Sequence, residues 1–318
     1  MSIKVLVTRN YDHMSNVAAD IVRKDIIQTL RKKKEYVLGL ATGSSPTGMY
    51  RRLVKAANSG EFDSTRIRSF NLDEYVGLPG KNPQERMMHP ESYCYFMIRE
   101  FFGRLKEPFI ESNVPCGSLI DQKILMRELR DHPEAWREAG KDAGKAIVLS
   151  GASSEYLAWI RKTILGAYAR QIKKVGGIDL QVIGVGGRGH VGFHESGIPF
   201  KGSKVLLIKL DDNTVLNAVA DGHFRSKKDS PRYAVSMGAE LIYQARTVVL
   251  LASGKRKVEP VTESLLGDVT PEVPISYGQK YAEKGGNMIY VVDKIVGQQL
   301  ISNKKALDWK KTKIQDLS

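Results

Sequence analysis

Residues 36–50 read Tyr36-Val37-Leu38-Gly39-Leu40-Ala41-Thr42-Gly43-Ser44-Ser45-Pro46-Thr47-Gly48-Met49-Tyr50. A short apolar run gives way to a small, hydroxyl-rich turn and then to a stretch whose early proline suits the first turn of a helix, with a serine as its cap. A strand that enters a helix through such a turn is the beginning of a βαβ unit, and the pattern repeats along the chain. Apolar or β-branched runs at 3–7, 67–71, 180–185, 204–208, 247–252 and 288–292 alternate with segments of helical spacing. That alternation is the signature of a mostly parallel sheet flanked by helices. From Ser154 onward, Leu157, Ile160, Ile164, Tyr168 and Ile172 recur every three or four residues, so this helix should turn one apolar stripe to the sheet. The expected fold class is α/β, a single domain over residues 1–303 with insertions.

The 318 residues are 42% hydrophobic and 26% charged, an ordinary globular composition with length enough for one large sheet. Residues 117–150 interrupt the pattern, being charged with Pro133 among them, and are expected as a helical insertion on the surface. Residues 304–318 are expected as a basic C-terminal extension. No stretch approaches the ~20 apolar residues of a membrane-spanning helix, and the opening residues hold no apolar core of signal-peptide length. A cytoplasmic protein without a membrane partner is expected. Cys94 and Cys116 are too few for a disulfide framework and lack zinc-ligand spacing, so no metal is expected. The 49 basic against 35 acidic side chains give a net charge of +14. The cations lie in short scattered runs without interleaved aromatics, which argues against a nucleic-acid partner.

In open parallel sheets, ligands bind beyond the carboxyl ends of the strands. Four sequence segments fall there. At Thr42, Gly43, Ser44 and Ser45, backbone N–H groups, hydroxyls and a helix N-terminus would converge as a phosphate requires, whereas a plain capped turn needs only one hydroxyl. Asp73 and Glu74 are adjacent carboxylates just past an apolar strand, where partial desolvation would raise a carboxyl toward the range of a working base. The run 178–199 satisfies G-x-G-x-x-G after a strand, but its further glycines and Pro199 argue against the helix a dinucleotide site requires. It is read as a loop that brings His190, His194 and Glu195 into one crevice. At 252–257, Lys255, Arg256 and Lys257 stand where a helix dipole disfavours cations, a conflict that a bound anion would relieve.

Together, LGLATGSSPTGMY, SFNLDEYVGLP, HPESYCYFM, IGVGGRGHVGFHESG and ASGKRKVEPVTESLLGDVTPEVP resemble the glucosamine-6-phosphate deaminase (isomerase) family, whose wider superfamily includes 6-phosphogluconolactonase. The likeness runs from about residue 3 to residue 300. It implies a Rossmann-like sheet and conversion of glucosamine 6-phosphate and water to fructose 6-phosphate and ammonia, with no metal or organic cofactor. By motif, Asp73 matches the carboxylate that moves a proton between C2 and C1, with Glu74 its neighbour. His190 matches the ring-opening histidine and Glu195 the acid that tunes it. Thr42 to Ser45 and Lys257 match phosphate contacts, and the family commonly forms homo-oligomers.

The chain departs from the family pattern in places. Arg188 stands where the family has an acid beside the histidine, so a cation is expected next to His190, where it would meet a second anionic or hydroxyl group of an altered substrate. His194 replaces an asparagine, adding a second imidazole. The family's phosphate-binding arginine has no counterpart at 217–224, where Arg225 is a displaced candidate. Two other readings stand beside the deaminase: a non-catalytic sugar-phosphate sensor, and an isomerase or hydrolase of a different sugar phosphate.

Overall fold

The computed structural model describes residues 3–150 and 153–318. In chain order the first strands are β1 (Ile3–Thr8), β2 (Tyr36–Leu40), β3 (Ile67–Asn71), β4 (Asp73–Val76), β5 (Glu111–Asn113), β6 (Trp136–Ala139) and β7 (Lys145–Leu149). They continue with β8 (Leu180–Ile183), β9 (Val205–Lys209), β10 (Tyr233–Met237), β11 (Thr247–Ala252), β12 (Asn287–Asp293) and β13 (Thr312–Asp316). Eight of them form one sheet in the order β13-β1-β12-β11-β8-β2-β3-β5, parallel throughout. Its central strands are apolar on both faces, because helices cover both. The α/β class is as read from the sequence.

The remaining five strands form a second, antiparallel sheet, β4-β10-β9-β7-β6. The apolar run at 204–208 belongs here and not to the parallel sheet. Residues 184–204 contain no helix beyond a single 3-10 turn, so the chain makes no crossover back to a parallel neighbour after β8. The helical reading of 117–150 is also corrected. Only Gln122–Asp131 is an α-helix of any length, and β6 and β7 form a hairpin whose Ile147 and Leu149 enter the core between the antiparallel sheet and the helical segments that carry Leu125 and Ile160. The charged side chains dominate this segment's composition and mask the buried alternation of Lys145–Leu149.

The stripe of Leu157, Ile160, Ile164, Tyr168 and Ile172 is buried as expected. Its last three intervals are of four residues, longer than the α-helical period, and a π-helical segment, Ile160–Leu165, takes up that drift.

Residues 304–318 are part of the fold. Lys304–Trp309 is a helix with Leu307 fully buried against the main core, and β13 pairs in parallel with β1 from Ile3↔Thr312 to Val7↔Asp316. Leu307→Ala is accordingly expected to cost roughly 2–5 kcal/mol of stability in chemical denaturation, the range for emptying a buried leucine site, where a free tail would give no change.

Candidate active site

In the parallel sheet β2 connects onward to β3 on one side and β8 to β11 on the other. The order reverses between β2 and β8, and the crevice outside their carboxyl ends is where such a sheet binds its ligand. A cleft opens there. Its inner part is lined by Thr42 to Pro46 after β2, Asp73 after β3, Gly184 to Gly186 and His190 after β8, and Lys257 after β11. It continues outward into a crevice of about 900 Å³ that shares Ser44, Ser45, Tyr93, His190 and Lys257.

The wall carrying Asp73 is set by one residue. The Leu72 N–H donates to the Leu40 carbonyl of the parallel sheet, and the Leu72 carbonyl accepts from Met237 N of the antiparallel one. Asp73 therefore emerges at the seam, 5% exposed, with Oδ1 buried and without a hydrogen-bond partner. Burial first, and the neighbouring Glu74 charge second, push its carboxyl well above the usual range. Gly192, at φ +55°, makes room for it: a Cβ there would lie 3.2 Å from Asp73 Oδ2.

Glu74 points elsewhere. Its carboxylate accepts from the backbone N–H groups of Tyr75, Tyr93 and Cys94 and from the Ser92 hydroxyl, at 2.8–3.0 Å. It thereby caps the helix Tyr93–Glu100, whose dipole favours a negative charge. Burial raises its carboxyl, and the four donors pull against that. The structure thus brings Asp73 into the cleft and leaves Glu74 as an anchor beneath it. The two motifs NLDEY and HPESY are the two halves of this anchor, which holds Tyr93 at the rim of the cleft.

His190 sits where the glycine-rich loop lets it approach the backbone. A Cβ on Gly186 would fall 1.7 Å from His190 Nε2. On the ring's other side Nδ1 lies 3.4 Å from Glu195 Oε2. Burial opposes ionisation of Glu195, but the His190 imidazole and hydrogen bonds from Thr214 and Asp211 outweigh it and hold the carboxyl below its usual range. Arg188 does not stand beside His190 as the sequence suggests. It turns to Asp142 and Asp211, so the acid facing the histidine is Glu195. His194 is not a second imidazole in the crevice either. It is fully buried, with Nδ1 accepting from Ala239 N and Nε2 donating to the Ile198 carbonyl. Burial pushes it down to about 4, which leaves it neutral at neutral pH.

The anion cradle differs from its expected form in a way that leaves more of it free. The helix Ser44–Asn58 is capped by Gly43 at φ 131°, not by a serine, and makes no side-chain cap bond. Thr42 Oγ1 is buried without a partner. The opposite wall is fixed by Asp293, whose carboxylate accepts from the Ser253 hydroxyl at 2.7 Å and from Gly254 N at 2.8 Å. This turn delivers Lys257, whose ammonium donates to the Val185 carbonyl; burial lowers its pKa, and Arg256 adds to the effect. Arg225 is exposed and does not line the crevice, whereas Arg51 does, one turn along the helix from Thr47.

The chain is 36% identical over 272 residues to a glucosamine-6-phosphate deaminase of Thermoanaerobacter sp. (strain X514), covering 86% of this chain and 87% of that one. It is 30% identical over 298 residues to one from Clostridium botulinum (strain Loch Maree / Type A3), covering 94% and 99%. The chain belongs to the glucosamine-6-phosphate deaminase family. A monomeric glucosamine-6-phosphate deaminase of the NagB superfamily superposes with a TM-score of 0.68 at 25% identity, over 93% of this chain and all of that one. A 6-phosphogluconolactonase from Thermotoga maritima shares the fold, with a TM-score of 0.60 at 18% identity over 92% and 100%. No protein-family model matches the chain.

Membership of the glucosamine-6-phosphate deaminase family makes this an enzyme of sugar-phosphate deamination and isomerisation, and the sensor reading is not favoured. Among the described residues no helix is long and apolar enough to cross a membrane, and no three His, Cys, Asp or Glu side chains converge to hold a metal. Both cysteines are free. Tyr93 and Arg51 were missed from the sequence. Arg51 was accessible by its four-residue spacing from Thr47, which sets both on one helix face.

A buried carboxyl that is raised in the native chain binds its proton more tightly there than in the unfolded chain. Its contribution to stability is present at low pH and is lost as pH rises through the raised value. Asp73→Asn is thus expected to raise the unfolding free energy at pH 7, read by chemical denaturation, by roughly 1.4 kcal/mol for each pH unit of that elevation. Below pH 3, where the wild-type carboxyl is protonated in both states, the difference should vanish.

Proposed function

We propose that the chain converts glucosamine 6-phosphate and water to fructose 6-phosphate and ammonia, with Asp73 as the proton-shuttling base. The observation that carries this is the unpartnered, desolvated Asp73 carboxylate in one cleft with the His190–Glu195 pair and an anion cradle. The cradle, from Thr42, Ser44, Ser45 and Lys257, takes the phosphate. His190, steadied by Glu195, moves a proton from the anomeric hydroxyl to the ring oxygen and so opens the sugar. Asp73 then takes the C2 proton and returns it to C1 while the C2 ammonium gives one proton to the C1 oxygen, so that the C1 aldehyde becomes a hydroxymethyl group and C2 a protonated imine. Water adds at C2, ammonia leaves, and the ketone remains. A carboxyl raised by burial suits this role, because a base of higher proton affinity takes a carbon-bound proton more readily.

Every group named comes from one chain. A phosphorylated substrate does not cross a membrane unaided, so we assign the enzyme to the cytoplasm. The family resemblance also implies a homo-oligomer, whereas one solved relative is described as monomeric; light scattering of the purified chain decides between them.

The test is ammonia release from glucosamine 6-phosphate. Asp73→Asn should lower kcat by about a hundredfold or more while the folded variant is still stabilised by substrate in a thermal melt. Lys257→Ala should act chiefly on KM, since the phosphate is held alike before and during reaction. A folded wild-type chain that releases no ammonia sinks the proposal.

A further inference from the structure

Arg188 is one of two non-glycine residues with a left-handed backbone among the described residues, at φ 58°. A side chain pays for that conformation unless something holds it there. What holds it is a pair of carboxylates: the guanidinium bridges Asp142 and Asp211, the latter at 3.4 Å. Both lead back to the catalytic dyad. Asp211 donates its backbone N–H to Glu195 Oε1 at 3.4 Å. Asp142 lies in the turn between β6 and β7 and also accepts from the Ser196 hydroxyl at 2.7 Å, one residue from Glu195. The same turn forms the wall behind Glu195, because a Cβ on Gly144 would lie 2.7 Å from Glu195 Cβ and Cγ.

We propose that Arg188 is a positioning residue that ties the glycine-rich loop to the β6–β7 turn and to Asp211, and thereby holds Glu195 against His190 without touching substrate. The inference rests on the deaminase reading for its kinetic test. It also gives the hairpin a task in the site: the turn is a fixed post, and the guanidinium fork is the tie to it. A bidentate cation is suited to this where a lysine is not, since a single ammonium has no rigid fork to span two carboxylates.

Arg188→Gly removes the side chain while keeping a residue that adopts positive φ without strain, so the loop backbone is spared. The full chain carrying it is expected to lose about ten- to a hundredfold in kcat with KM little changed, the scale for misplacing a supporting group. Asp142→Asn, which loosens the other end of the tie, should move kcat in the same direction. In the Glu195→Gln background, Arg188→Gly should cost nothing further, because the residue it acts through is gone. A rise in KM at unchanged kcat would show that Arg188 touches substrate, and losses that multiply in the double variant would show that it acts independently of Glu195. Either overturns the proposal. Should the wild-type chain release no ammonia at all, the deaminase reading fails, and the wild type, Arg188→Gly, Glu195→Gln and their double variant compared by urea denaturation still decide this one. Non-additive midpoints for Arg188→Gly and Glu195→Gln support the tie, and additive ones overturn it.

Discussion

The site depends on a single backbone crossing. At Leu72 the chain leaves the parallel sheet and joins the antiparallel one within one residue, its N–H serving the first and its carbonyl the second. Both polar groups of that peptide are satisfied inside the protein, which is what allows the seam to be buried. The next side chain, Asp73, has no choice of environment: it is enclosed by two sheets and approached by the loop at Gly192. An ionised group in such a place is costly, and the enclosure that imposes the cost is also what raises the carboxyl's proton affinity.

The neighbouring acid shows the opposite solution. Glu74 is as deeply enclosed as Asp73, yet four donors converge on it and tie it to a helix N-terminus. Two adjacent carboxylates of the same strand thus divide into one that is satisfied and one that is left open, and only the open one faces the cleft. The same division separates His190 from His194. The first sits at the rim against Glu195, and the second has both ring nitrogens bonded within the core.

Six strands of the parallel sheet were legible because they are largely apolar and bounded by turn signals, as at Leu40–Thr42 and Ala252–Gly254; the two edge strands, β5 and β13, are polar and were not. That the turn Thr42 to Ser45, Asp73, His190 and Lys257 line one cleft followed from the rule that strand ends carry ligands. The second sheet was not legible. Its partners are far apart in sequence, so the apolar run of β9 was placed in the parallel sheet, the polar but buried β4 read as the loop after β3, and β6 and β7 were lost in a charged segment. Orientation was equally hidden. Motif order places Glu74, Arg188 and His194 beside the chemistry, but which way each side chain turns is decided by partners such as Ser92, Asp142 and Ala239, remote in the chain. Spacing fixes neighbourhood along a strand; tertiary hydrogen bonding fixes direction.

The strand order of the main sheet bears on how the molecule is made. Of the described strands, β1 comes earliest in the chain and lies between β12 and β13, which come latest. During synthesis β1 therefore has neither neighbour, and both of its edges stay unpaired until nearly the whole chain has emerged. A chain growing at roughly 5–20 residues per second carries that apolar strand open for many seconds. The helix Tyr11–Leu30, whose Met14, Ala18, Val22 and Ile26 pack in one cluster with Leu6 of β1, is the next element to emerge and covers one of its faces. Vectorial synthesis and native topology are thus at odds in this protein, and the interval between them is when it is most exposed to aggregation.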